Sequence, residues 1–220
     1  MKRSEVNNAI KWAEKLLEAQ KISLPAFAKK SAEDWDAARD ALIQGVMLGW
    51  DITDFGTGDF ERVGAVLFTV RNGEIGGDVP YCEKYIMLKD GRCQEIPMHY
   101  HIFKTEDIIN RGGGILCVQV AGKAEDGGVD PTSPVTVYMD GVMRTYAPDE
   151  IIELAPGESI RLTPYVYHRF YAKTGAGDLV VGEVSKVNDD RGDNIFASPT
   201  KRFCEPVEDA PKYRLLVSEY

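Results

Sequence analysis

No run of about eighteen apolar residues occurs in the chain, so a membrane-spanning helix is excluded. The opening MKRSEVNNAIKWAEK has no continuous apolar core and no small-residue cleavage site, and a secretory signal is not expected there. Basic residues are in deficit: 26 Lys and Arg against 35 Asp and Glu give a net charge of −9. Nucleic acids and anionic membranes need a basic face, so neither is an expected partner. Cysteine is scarce. Cys82, Cys93, Cys117 and Cys204 form no C-x-x-C pair, which argues against a thiolate zinc site or a redox dithiol. Read as reduced packing thiols, they fit a reducing cytoplasm. Histidine is scarcer still, with three in all.

What is present is ordinary globular material. The 220 residues are 44% hydrophobic and 28% charged, which excludes disorder and allows one large domain or a compact domain with a helical attachment. The pattern changes near residue 50. Before it, Val6, Ile10, Ala13 and Leu17 recur at helical spacing behind Ser4 as a cap. Ser31 and Asp34 resemble a capping box opening a second helix through Trp35, Ala38, Leu42 and Val46, ending near Gly49. The stretch Gly49 to Phe60 reads as a Gly- and Asp-rich crossover.

After residue 60 the period is that of strands. Short β-forming runs cover 66–70, 84–88, 115–120, 135–138, 159–163, 179–184 and 214–217. Asn72-Gly73, Asp90-Gly91, Asp140-Gly141 and Pro156-Gly157 punctuate them as turns. The loop from Ala121 to Pro134 reads as an exposed acidic excursion. Many short strands at fairly even spacing predict a closed or sandwiched antiparallel sheet. The expected organisation is a helical segment, 1–52, packed on a β-barrel, 53–220.

His99 and His101 stand two apart in Met98-His99-Tyr100-His101, so on a strand both imidazoles face one way. Four residues separate His101 from Glu106, and a turn can return that carboxylate to the imidazoles. His168 lies on a distant segment that can supply a third imidazole. His99, His101, Glu106 and His168 then make a mixed N/O site for one divalent ion such as Mn, Fe, Zn, Ni or Co. Four protein ligands leave one or two coordination positions for water or a substrate with adjacent oxygens.

The segment Gly91 to Gly113, with its glycine, His-x-His, Glu and Gly, resembles the first signature of the cupins. Pro164 to His168 resembles the second less closely, with Val166 where a glycine is usual. Longer words are more specific. Pro97 to Gly114, Gly182 to Asp190, Asp193 to Phe196, Arg202-Phe203 and the terminal Glu219-Tyr220 are similar to D-lyxose ketol-isomerases. The resemblance covers most of the chain and implies a mainly β cupin jelly-roll barrel with an N-terminal helical segment.

It also implies an activity: interconversion of D-lyxose with D-xylulose, and of D-mannose with D-fructose, with manganese the first choice of metal. That reaction moves a proton between C2 and C1 through an enediolate, which a metal chelating O1 and O2 stabilises. Glu106, committed as a ligand, is a poor base. Lys104, two residues before it, faces the same way in an extended stretch and can polarise a sugar oxygen. Glu183 can point inward from its apolar strand, where burial would raise its pKa toward that of a general base; it can equally serve as a hydrogen-bond partner of a ligand imidazole. Asp189, Asp190 and Arg191 sit in a loop able to cover sugar hydroxyls, or to cap a turn. A metal-assisted hydride shift competes with proton transfer. A cupin oxygenase or decarboxylase, and a non-catalytic sugar-binding cupin, are the alternatives. Open strand edges make a homodimer the default assembly.

Overall fold

A computed structural model of the chain describes residues 1–90 and 94–220. The turn expected at Asp90-Gly91 and the packing role expected of Cys93 therefore involve residues outside the described set.

Helix α1, Arg3–Ala19, forms where the apolar period places it, and Val6, Ile10, Ala13 and Leu17 are all buried. Its cap is Lys2 rather than Ser4. The Ser4 hydroxyl is occupied elsewhere, donating to Asp209 at 2.8 Å. The second predicted helix does not form. A 3-10 turn over Ala32–Asp34 and a short helix α2, Ala41–Gly45, take its place. The Ser31–Asp34 box is made, but it caps only that one turn. Beyond it, the Asp36 carboxylate accepts from the amides of Ala38 and Arg39, and Asp40 accepts from the amide of Asp36. Side chains thus take the amides a helix would have used. Leu42, expected on a buried face, is 75% exposed.

Fourteen strands occur among the described residues: β1 Gly49–Thr53, β2 Ala65–Arg71, β3 Tyr81–Leu88, β4 Glu95–His101, β5 Glu106–Gly113, β6 Leu116–Lys123, β7 Val129–Asp130, β8 Val135–Met139, β9 Val142–Tyr146, β10 Ile152–Leu154, β11 Ser159–Leu162, β12 Tyr167–Ala172, β13 Leu179–Lys186 and β14 Asn194–Phe196. They form an eight-stranded sheet, β1-β2-β3-β13-β5-β11-β8-β9, and a six-stranded sheet in which β10-β6-β12-β4-β14 run in order and β7 pairs with β6 off that path. Every pairing is antiparallel. The inner faces meet in one core that includes Ile86, Ile108, Leu162 and Val181 from one sheet and Ile96, Val118, Val120 and Phe170 from the other. This is the mainly β, jelly-roll arrangement expected, with a helix beside it.

Three departures have physical causes. The crossover expected from Gly49 begins as β1, buried throughout. Its Trp50 and Ile52 pack with Ile10, Ala13 and Leu17 of α1, while Asp51 takes the opposite face. A strand covered on both sides loses the polar alternation that marks strands in sequence. The run 214–217 is not a strand: only Leu216 bridges to Trp50, and the Val217 amide donates to the Trp50 carbonyl at 2.8 Å. The excursion from Ala121 is shorter than expected, because β6 continues to Lys123 and β7 folds back on it. The Asp140-Gly141 turn does join β8 to β9, with φ of 48° and 83°. A two-residue hairpin loop of this kind needs both residues left-handed, and Gly141 adopts that conformation without strain. Cys82, Cys117 and Cys204 are buried.

Candidate metal centre

Strand β4 sends His99 and His101 to the inner face and Tyr100 to the outer one, where it meets Tyr167. In the pairing of β12 with β4, His168 stands directly opposite His99. Glu106 opens β5 in the facing sheet, so the two sheets supply imidazoles and carboxylate from opposite sides. All four side chains are buried, and their candidate ligand atoms lie within 4.8 Å of one another. Glu106 Oε1 is 3.0 Å from His168 Nε2 and Oε2 is 3.3 Å from His101 Nε2.

The imidazoles are oriented from behind. Nδ1 of His99 lies 2.8 Å from the Pro97 carbonyl and Nδ1 of His168 lies 3.0 Å from the Val166 carbonyl. A carbonyl only accepts, so Nδ1 carries the proton and Nε2 presents its lone pair to the centre. Burial, reinforced by His168 and His101, pushes the His99 pKa well below its usual value; burial, with Lys104 next, lowers that of His101. Burial alone would raise the Glu106 pKa, but the Lys104 ammonium leads the groups that hold it well below the usual carboxylate range. Neutral imidazoles beside an ionised carboxylate are the ligand forms of a divalent ion. Both ring nitrogens of His101 and Nε2 of His168 are buried without a hydrogen-bond partner. Such orphaned atoms are costly unless something else takes their lone pairs, and an N/O donor set suits a metal of the kind named above.

A second group of charges adjoins the first. Lys104 Nζ lies 3.0 Å from Glu106 Oε2 and donates to Glu183 Oε1 at 2.8 Å. Lys104 is placed by Asp193, whose fully buried carboxylate accepts from the amides of Ile102, Phe103 and Lys104 in the β4–β5 turn. On β13, Glu183 pairs in register with Lys84 of β3. Lys84 Nζ is 3.5 Å from Glu183 Oε2 and donates to Asn188 Oδ1 at 3.0 Å.

This geometry corrects one expectation. Burial does push the Glu183 pKa upward, as anticipated, but Lys104 and then Lys84 outweigh it, and the net shift is downward. The pair of buried ammonium groups keeps Glu183 ionised. Both lysines are themselves raised: burial opposes their charge, and Glu106 and Glu183 for Lys104, Glu183 and Asp190 for Lys84, overcome it.

A cavity of about 40 Å³ lies against these groups, lined also by Phe55, Asp190, Asn194, Phe196 and Arg202. Arg202 bridges Asp51 Oδ2 at 2.7 Å and Asp190 Oδ2 at 2.9 Å. Of the three loop residues singled out in the sequence, Asp190 lines the cavity. Asp189 instead closes a turn, accepting from the amides of Arg191 and Gly192, and Arg191 is exposed. The sequence singles out neither Lys84 nor Asp51 for the site, and Arg202 only within the Arg202-Phe203 word of the family resemblance. Lys84 carried a signal: it alternates with buried Cys82 and Ile86 in one strand, so it had to face inward. Asp51 carried none, because it lies in a segment of irregular composition, and Arg202 carried only its place in the Arg202-Phe203 word.

Comparison with known proteins agrees with this geometry. A family model described as D-lyxose isomerase matches residues 1–220. A protein of Serratia proteamaculans named D-lyxose/D-mannose isomerase is 44% identical over all of this chain and 98% of its own. A protein of the same name from Escherichia coli O157:H7 is 40% identical over all of this chain and 98% of its own. Among solved structures, L-ribose isomerase of Cellulomonas parahominis with L-ribose superposes with a TM-score of 0.58 at 17% identity, covering 94% of this chain and 98% of that one. At that identity the likeness is one of fold.

Proposed function

The chain belongs to the D-lyxose isomerase family, and from that membership we propose that it interconverts D-lyxose with D-xylulose and D-mannose with D-fructose. The oxygenase, decarboxylase and non-catalytic alternatives have no support in the relatives, which are named as sugar isomerases. The observation carrying the reading is the juxtaposition of four buried candidate ligands with a buried Lys104–Glu183 pair.

His99, His101, Glu106 and His168 hold one divalent ion, manganese by preference, which when bound supplies Lewis-acid polarisation of neighbouring sugar oxygens. Glu183, ionised between its two lysines, takes the proton from C2 of the aldose and returns it to C1. Lys104 gives a proton to O1 as negative charge develops there, and the proton leaving O2 restores it. Glu106 is turned toward His101 and His168 and is not the base. Asp190 and Arg202, rather than Asp189 and Arg191, meet the sugar's hydroxyls.

The exposed β9 edge supports a homodimer: Val142 and Met143 there are 57% and 65% exposed. The buried thiols of Cys82 and Cys204, held in no disulfide, support a reducing cytoplasm.

The test is direct. Protein reconstituted with Mn, Co, Ni or Zn is incubated with D-lyxose and with D-mannose, and ketose is assayed. Ketose from both sugars is expected. No ketose with any metal would sink the reading.

A further inference from the structure

We propose that Asn194 is a substrate-recognising residue whose side-chain oxygen, Oδ1, accepts a hydrogen bond from a sugar hydroxyl beyond the two reacting carbons. The proposal rests on the isomerase reading above and adds to it a residue that reading does not use.

Asn194 opens β14, where it pairs with His101 of β4. The strand period places Phe196 on the same face, and the Phe196 ring stacks on that of His99 with centroids 5.3 Å apart. Both Asn194 and Phe196 line the cavity. The Asn194 amide has one assignable orientation. Its Nδ2 donates to Asp190 Oδ1 at 3.0 Å. An ionised carboxylate only accepts, so the nitrogen must face Asp190 and the oxygen must face away. Asp190 is itself fixed, because its other oxygen accepts from Arg202, and Arg202 is anchored on the far side by Asp51. The chain Asp51–Arg202–Asp190–Asn194 therefore aims Oδ1.

That oxygen is buried and has no hydrogen-bond partner. Of the other orphaned buried side-chain atoms among the described residues, those of His101 and His168 belong to the metal centre. Trp35 Nε1 is a donor and does not line this cavity. Asn194 Oδ1 is thus an unfilled acceptor on a residue that lines the cavity. Such a group costs stability until a donor arrives, and a sugar hydroxyl is a donor. Lys104 and Glu183 stand beside the metal ligands and serve C1 and C2. Asn194 belongs to the Asp190–Arg202 group, which the proton transfer does not use, and so is assigned a more distant hydroxyl. A site built to bond a hydroxyl discriminates against the analogue that lacks it, because the buried acceptor is then left unpaired.

The experiment compares kcat/KM of the metal-loaded protein on D-lyxose with that on its 3-deoxy, 4-deoxy and 5-deoxy analogues, for the parent and for Asn194→Ala. The parent is expected to lose roughly tenfold or more on one analogue. Asn194→Ala is expected to lose a similar factor on D-lyxose and nothing further on that same analogue. Should Asn194→Ala fail to fold, Asn194→Ser, whose hydroxyl can still donate to Asp190, is expected to show the same lost discrimination. A parent that turns over all three analogues as well as D-lyxose overturns the proposal without any variant. So does a folded variant that keeps the parent's discrimination at every position. A parent inert on both D-lyxose and D-mannose overturns the isomerase reading, and this proposal with it.

Discussion

Lys104 and Glu183 are 79 residues apart in the chain and 2.8 Å apart in the fold. The pair joins two sets of charges. Lys104 touches Glu106 on the metal side, and Glu183 touches Lys84 on the other. Neither carboxylate is left alone with a buried charge, which is the condition for keeping both ionised in a dry interior. A carboxylate and an ammonium group thereby line one cavity side by side.

The proposed ligands and the proposed base are expected to separate under mutation. His99→Ala and His168→Ala are expected to lose bound metal and turnover together. Glu183→Gln is expected to keep its metal and lose about 10²- to 10⁴-fold in kcat. Metal content of the purified variants, measured beside kcat, decides this; an active His168→Ala protein with full metal would contradict the assignment.

Lys84 is expected to show itself in the pH profile. Its ammonium is one of two that hold the Glu183 pKa down. In Lys84→Met one cation is gone, so the Glu183 pKa rises. The acid limb of kcat should move to higher pH by about one pH unit. The stability side has the same sign. A carboxylate with a depressed folded pKa stabilises the fold above its unfolded value and loses that contribution as pH falls, so Lys84→Met should be less sensitive to acid through this group. An unchanged acid limb would remove Lys84 from the account.

Asp51 anchors Arg202 from outside the reacting group. Asp51→Asn leaves Arg202 with one buried carboxylate in place of two. The expected cost is about 3 kcal/mol of stability, read from urea unfolding. KM for D-lyxose should rise more than kcat falls, since the lost anchor positions Arg202, the group proposed to face the sugar. Equal loss in kcat, or none in stability, would argue against the anchor.

Cys82 is expected to be inert in the native protein. Burial first of all pushes its thiol up to about 11, against about 8.5 for an exposed thiol. A thiol with a raised folded pKa favours the fold while it stays protonated, so its contribution is present below the unfolded value and fades as pH climbs from about 8.5 toward the folded one. Alkylation at Cys82 near pH 8, traced by mass spectrometry, should appear only on unfolding; rapid modification of native protein would refute this.

Some of the protein was legible in the chain itself. Helix α1, most strands and the His99–His101 alternation follow from local periods, because a helix face or strand face is fixed within a few residues; the cupin resemblance implies Glu106 and His168 beside them, and the sheet pairing brings them there. The inward direction of Glu183 came from the same period. Its state of ionisation did not, since that depends on Lys84 standing opposite it in the register of β3 and β13. The second helix failed for a reason visible only in place, where the Asp36 and Asp40 carboxylates capture the amides that would have continued it.

The sequence by itself therefore determined which residue types could hold an ion and which face His99 and His101 share. Only the tertiary structure decided which charges meet across strands: Arg202 between Asp51 and Asp190, and Glu183 between two lysines. The physical reason is range. Side-chain direction repeats every two residues along a strand, whereas the partner across the sheet is set by how the whole barrel closes.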